Sequence, residues 1–360
     1  MEDIVFAISK VGASHLPHGV PCQDYSLSFQ TEDGSLSMII ICDGHGSKTY
    51  VRSDKGARFA AEIAKKEIVD FCNNLPVSFY TGKKGAVTSH PFTEDSLWDK
   101  EQDESEMTTS EKELAVQNES FHRQVEGIEE QDKRMCLLFN SICSKWQDAI
   151  KKDAEENPFS DEEQQALGNN RLAKAYGTTL MAYVETESYW FSFHIGDGRI
   201  VAIDADGEMR NPVPWDCRCF QNLTTSLCDS NPEMCFRYAF DGTVFFPKAV
   251  FCCSDGIEDS YGDYEASPER LHKFYAGILN EFENKGVEET LKNISEFLPI
   301  LSEKGSKDDM SLAGIISRRE ERNEKTVLNN EKYQEQVDEC DVPKDGLLRR
   351  ITKIMAKVFE

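Results

Sequence analysis

The sequence predicts an α+β fold built on antiparallel β-sheets. Three observations predict it: strand-like apolar runs arrive in clusters, the links within each cluster are short and hairpin-like, and helical periodicity is confined to separate blocks. No internal repeat interrupts this order. With 360 residues, 39% of them hydrophobic and 10% aromatic, the chain can bury a large core, as one large domain or two ordinary ones.

Taken in order, residues 4–9 (IVFAIS), 25–30 and 36–42 read as strands. Residues 53–71, SDKGARFAAEIAKKEIVDF, carry apolar positions at helical spacing, with Ser53 placed to cap the N-terminus. Composition then changes. From about 82 to 130 the chain is rich in Glu, Asp, Ser, Thr and Gln, and residues 94–130 hold thirteen acids against three bases. That balance favours a solvated, flexible insertion over core. A helix follows at 131–152, where Met135, Leu138, Phe139, Ile142, Trp146 and Ile150 share a face. After a short acidic connection come strands at 177–185, 189–196, 199–204, 243–254 and 310–317, with a helical stretch at 267–297. From 318 onward the sequence is charged and ends in DGLLRRITKIMAKVFE. There Leu347, Leu348, Ile351, Ile354, Met355 and Val358 fall on one helical face, with Arg349, Arg350, Lys353 and Lys357 elsewhere. Such a helix packs on its own domain or docks to a partner or an anionic surface.

The formal charge of −25 argues against nucleic acid, whose binding needs a basic face, and favours cations or basic protein surfaces as partners. The N-terminus shows no basic region leading into an apolar one, and no apolar run approaches the roughly 18 residues that span a bilayer. The expected location is the cytoplasm, with the twelve cysteines as reduced thiols. Cys217, Cys219, Cys228 and Cys235 lack the paired knuckles of a structural zinc site, and read better as small buried hydrophobes.

The stretch IIICDGHGS, residues 39–47, carries the chemistry. A buried strand stops at a carboxylate and an imidazole between two glycines. Taken alone, that is also what a tight turn looks like. The pattern recurs, however: Ser254-Asp255-Gly256 follows VFCC, Gly196-Asp197-Gly198 follows FSFHI, and Lys307-Asp308-Asp309 precedes MSLAGII. Carboxylates delivered by several strand ends to one place repel one another unless cations intervene. Oxygen-only ligation suits Mg²⁺ or Mn²⁺.

The order and wording of these pieces resemble the protein phosphatase 2C family of metal-dependent serine/threonine phosphatases. The matching residues are PCQD (21–24), DGHGS (43–47), GTTL (177–180), IGDGRI (195–200), SDGIEDS (254–260) and KDDMS (307–311). The resemblance implies a central pair of antiparallel sheets flanked by helices, an α-β-β-α sandwich, with two metals at one end. It implies a catalytic domain over 1–317, interrupted by the acidic insertion, and a C-terminal extension over 318–360. Asp43 would bridge both metals, Gly44 would offer its carbonyl to one, and Asp255 and Asp308 would complete the direct ligands. Asp197 would share a third, weaker metal with Asp255. Asp24 matches the Asp of the family's N-terminal acidic pair, and His45 the imidazole that protonates the departing alkoxide. The implied substrate is a phosphorylated protein.

Three positions depart from the family pattern. Gly19 stands where a phosphate-binding Arg is common, Gln23 where Glu is usual, and Asp309 where Asn is usual. His15 and His18 lie where they could contact phosphate, or simply face solvent. Two other functions fit the same residues: a phosphatase-fold binding or scaffold protein with little turnover, and a hydrolase of small phosphate esters.

Overall fold

The computed structural model describes residues 3–87 and 127–317, apart from residues 217, 220–222, 244, 263 and 265. One antiparallel sheet runs in the order β1 (Ile4–Lys10), β11 (Met310–Ile316), β10 (Ala249–Cys253), β7 (Arg199–Ile203) and β8 (Met209–Arg210). The other runs β2 (Tyr25–Gln30), β3 (Leu36–Cys42), β5 (Leu180–Thr186), β6 (Trp190–Ile195), β9 (Arg237–Asp241) and β4 (Lys84–Val87).

The strand period of two explains why β3 is apolar at almost every position. Ile39 and Ile41 point between the sheets, where they meet Val250, Cys252, Ala313 and Ile315. Met38, Ile40 and Cys42 point the other way, toward α1 (Ser53–Asn73) and α2 (Glu129–Glu156), which supply Ala57, Ala61, Ala64, Phe139, Ile142 and Trp146. On the far side, α6 (Pro268–Lys285) and α7 (Val287–Lys304) bury Phe274, Tyr275, Ile278 and Phe297 against Phe251, Cys253 and Leu312. The result is helices, sheet, sheet, helices, in agreement with the expected fold class. Three further α-helices are short: α3 (Asp161–Leu167), α4 (Leu172–Ala175) and α5 (Asp255–Asp259). No helix among the described residues is long and apolar enough to cross a membrane.

Several expectations shift. All six apolar residues anticipated on the 131–152 helix are buried on α2. The single stretch at 267–297 is two helices, divided at Gly286, whose φ of 79° turns the chain. Ser53 is the first residue of α1 and not its cap; its Oγ instead accepts a hydrogen bond from Gln23 Nε2 (2.6 Å). The acidic stretch is ordered at both ends: Lys84–Val87 is strand β4, paired with β9, and Glu129 opens α2. Residues 88–126 between them, and the C-terminal segment 318–360 with its amphipathic pattern, lie outside the described residues.

Candidate active site

Strand register brings the singled-out carboxylates to one end of the sandwich. Tyr25 pairs with Cys42, and Leu180 with Ile195, so Asp24, Asp43 and the residues after Ile195 leave the six-stranded sheet at the same end. Cys253 pairs with both Leu312 and Arg199, so Asp255, Asp308 and the residues before Arg199 leave the five-stranded sheet together. Asp197 lies in the β6–β7 connection, which joins the two sheets there. The two sheet ends therefore coincide.

Asp43 has its backbone fully committed. Its N–H donates to Thr179 Oγ1 (3.0 Å), and its carbonyl accepts from Thr178 Oγ1 and from the Thr179 N–H (both 2.8 Å). Gly44 is required by close approach: a Cβ there would sit 2.4 Å from the Gln23 carbonyl oxygen and 2.8 Å from that of Ser53. Behind the turn, Asp309 is buried and accepts from the backbone N–H groups of Gly12 (2.5 Å) and Gln23 (2.6 Å) and contacts His15 Nδ1 (3.0 Å). Asp309 thus ties the segment before β2 to the start of β11. His15 is committed to that tie, while His18 is exposed beside Gly19.

The remaining carboxylates face one another. Burial, then the charges of Asp24 and Asp255, push Asp43 well above the usual carboxylate range. Burial and the charge of Asp197 do the same to Asp255, and the two carboxyls hydrogen-bond each other. Asp24 is pushed up to about 7 by burial and Asp309, against hydrogen bonds from Ser254 and Ser311. Its Oδ2 is buried without a hydrogen-bond partner. Asp197 rises to about 6, chiefly through burial, although Thr224 hydrogen-bonds it. Asp308 is exposed at the rim. Among the described residues, none of Asp24, Asp43, Asp255 and Asp308 forms an ion pair with Lys, Arg or His.

Mutually repelling carboxylates and an orphaned buried oxygen together fit a hard divalent cation. Among the described residues, no three His, Cys, Asp or Glu side chains stand together as a ready-made metal-holding group.

His45 is half-buried beside this cluster. Its Nε2 lies 2.7 Å from Ser226 Oγ, and its ring meets Tyr50 edge-on at 4.7 Å. Burial, with the Lys174 charge second, pushes its pKa down to about 4. Gly177 makes the packing possible, since a Cβ there would lie 2.5 Å from Tyr50 and 2.7 Å from His45 Cδ2. Sequence reasoning missed the parts played by Ser226, Gln23 and Asp309. Thr178 and Thr179 were within reach in the GTTL motif, but Ser226 sits in TTSLCDS, which carries no pattern. Cys219, Cys228 and Cys235 are buried, with Cys219 Sγ against the Gly196 carbonyl oxygen at 3.2 Å.

No curated protein matches the sequence. Among solved structures, similar chains include a bacterial serine phosphatase at 12% identity, with a TM-score of 0.45 over 88% of this chain and 98% of that one. The catalytic domain of the serine threonine protein phosphatase PstP, in complex with two manganese ions, is 14% identical, with a TM-score of 0.43 over 87% and 97%. The serine/threonine phosphatase Stp1 from Staphylococcus aureus is 12% identical, with a TM-score of 0.44 over 89% and 98%. The family model of protein phosphatase 2C matches residues 11–296, a span that takes in Asp24, Asp43, Gly44, His45, Asp197 and Asp255 and stops short of Asp308. The chain belongs to the protein phosphatase 2C family.

Proposed function

We propose that this protein hydrolyses phosphoserine and phosphothreonine monoesters in proteins, with Mg²⁺ or Mn²⁺ as cofactor, from a catalytic unit spanning residues 1–317. The observation that carries the reading is the convergence of Asp24, Asp43, Asp197, Asp255 and Asp308 at one sandwich end, where the charges of Asp24, Asp197, Asp255 and Asp308 raise the proton affinity of neighbours and no basic side chain forms an ion pair with the central ones. Asp43, the Gly44 carbonyl, Asp255 and Asp308 would hold two divalent cations, and Asp197 with Asp255 a third, weaker one. When bound, such cations polarise the phosphoryl oxygens and lower the pKa of a water able to attack phosphorus.

The chain's own residues supply the rest. Asp24, near Ser254 and Ser311, can accept a proton from the attacking water directly or through a second water. His45 holds a proton for the departing serine or threonine alkoxide, a poor leaving group without one. Its ring is neutral at pH 7 in the protein alone, and a phosphate dianion beside it favours the imidazolium. The backbone cradle of Thr178, Thr179 and Gly44 fixes the direction in which Asp43 and His45 leave the strand.

One observation favours a second reading, a binding protein with little turnover: Gly19 supplies no side chain where the family's phosphate-binding Arg is common, and His15 is occupied by Asp309. The test is phosphate release from a phosphopeptide panel and small phosphate esters, with Mn²⁺ and with chelator. Metal-dependent release from phosphopeptides is the expected result. Binding without release would favour the second reading, and release only from small esters would exclude protein substrates.

A further inference from the structure

Ser226 Oγ has three close hydrogen-bonding neighbours, and the Cys228 thiol also hydrogen-bonds it. It lies 2.7 Å from His45 Nε2 and 3.0 Å from the Thr178 carbonyl oxygen, and it receives the backbone N–H of Cys228 at 3.3 Å. A serine hydroxyl has one proton and two acceptor lone pairs. The Thr178 carbonyl oxygen can only accept, so the hydroxyl proton belongs to it; otherwise two oxygens would face each other at 3.0 Å with no hydrogen between. The lone pairs are then left for Cys228 N–H and for His45. In that arrangement His45 Nε2 is the donor of the 2.7 Å contact. Ser226 is 2% exposed, and its own backbone N–H is held by Asp229 Oδ2 at 2.8 Å. Thr178 is in turn anchored to the Asp43 carbonyl.

We infer that Ser226 is a positioning residue that locks His45 in the Nε2–H tautomer, making Nδ1 the nitrogen that hands a proton to the substrate's leaving oxygen. Nδ1 has no hydrogen-bond partner among the described residues. In the transfer, the Nδ1–H bond of the imidazolium breaks as the alkoxide O–H bond forms and the P–O bond cleaves. The ring returns to the neutral Nε2–H form and regains its Nδ1 proton from solvent. The same chain of contacts, Asp43 to Thr178 to Ser226 to His45, ties the proton donor to the carboxylate centre through hydrogen bonds.

This inference rests on the reading of His45 as the proton donor, and two measurements separate them. In the ¹⁵N-histidine-labelled protein, long-range ¹H–¹⁵N correlation spectra report which ring nitrogen is protonated, with His45→Gln used to assign His45 among the seven histidines. A proton on Nε2 is expected; a proton on Nδ1 overturns the inference whatever the activity. In kinetics, Ser226→Ala should lower kcat for a phosphopeptide about 10-fold and change kcat for nitrophenyl phosphate less than about 2-fold, because a nitrophenolate leaves without a proton. Ser226→Thr, which keeps the Oγ, should restore the phosphopeptide rate. Equal losses on both substrates for Ser226→Ala, with the Thr variant no better, overturn the positioning role. Equal losses on both for His45→Gln overturn the proton-donor reading, and the positioning role with it, even with the hydrogen found on Nε2.

Discussion

Two clusters of acidic side chains in this molecule behave in opposite ways. Around Arg52, Glu163 accepts a bidentate pair of hydrogen bonds (2.8 and 3.0 Å), and Asp153 takes bonds from Tyr176 (2.6 Å) and Lys55 (3.1 Å), with the guanidinium stacked 3.9 Å from the Phe159 ring centroid. There, hydrogen bonds from Arg52 pull Glu163 down to about 2. Burial pushes Asp153 up, but the bonds from Tyr176 and Lys55 more than offset it. At the sandwich end, Asp24, Asp43 and Asp255 have one another as neighbours, and all rise. The fold neutralises the first cluster with its own cationic side chains and, among the described residues, gives the second no such ion pair. Perturbed carboxylates of the second kind mark functional sites.

The largest expected effect breaks the second cluster. Asp43→Asn, Asp255→Asn or Asp308→Asn should each reduce Mn²⁺ affinity and phosphopeptide hydrolysis by orders of magnitude, with the circular dichroism spectrum unchanged. Activity in chelator equal to that with Mn²⁺ would contradict this. Breaking the first cluster should do the reverse. Arg52→Met leaves Glu163 without its main partner and Asp153 with only Tyr176 and Lys55, and should destabilise the protein by about 3 kcal/mol in chemical denaturation while leaving Mn²⁺ affinity unchanged.

A subtler effect follows from Asp24. Its folded pKa of about 7 lies above the ordinary 3.8, so the fold favours the protonated form. In the metal-free protein its contribution is favourable below about pH 4 and is lost as pH rises toward 7. His45, pushed down, works in the opposite direction over part of this range, so the wild-type pH profile alone is ambiguous. The difference between Asp24→Asn and wild type isolates the carboxyl. The Asn variant should gain thermal stability relative to wild type, by a few degrees, as pH rises from 4 to 7. A constant or shrinking difference would show that Asp24 is not strained. The smallest effect concerns neither cluster: replacing residues 88–126 with a short Gly/Ser linker, and keeping β4 and the start of α2, should leave the thermal midpoint and small-ester hydrolysis nearly unchanged.

Much of this was legible in the sequence because it depends on local pattern. The run Ile39–Ile41 ending at Asp43, the helical face from Met135 to Ile150, and the repetition of Asp-Gly at strand ends all survive in the structure. What was illegible depends on long-range pairing. β9, RYAFD, was not anticipated, because Arg237 and Asp241 break its apolar character. Arg237 is fully buried only because the Gly196 and Pro214 carbonyl oxygens and Asp216 receive it. β4, KGAV, is only four residues and contains a Gly, and only its partner β9 makes it a strand. In the site, the carboxylates could be found by their strand ends. Ser226 reaches His45 across 181 residues of sequence, and no local signal marks such a contact.

The most direct measurement is calorimetric. Asp43 and Asp255 hold protons more tightly than free carboxyls, and cation ligands must give them up. Titrating Mn²⁺ into the protein at pH 6.5 in buffers of different ionisation enthalpy should therefore show binding with release of protons, and Asp43→Asn should abolish both. Mn²⁺ binding without proton release, or binding that survives Asp43→Asn undiminished, would contradict the assignment of this carboxylate cluster as the metal centre.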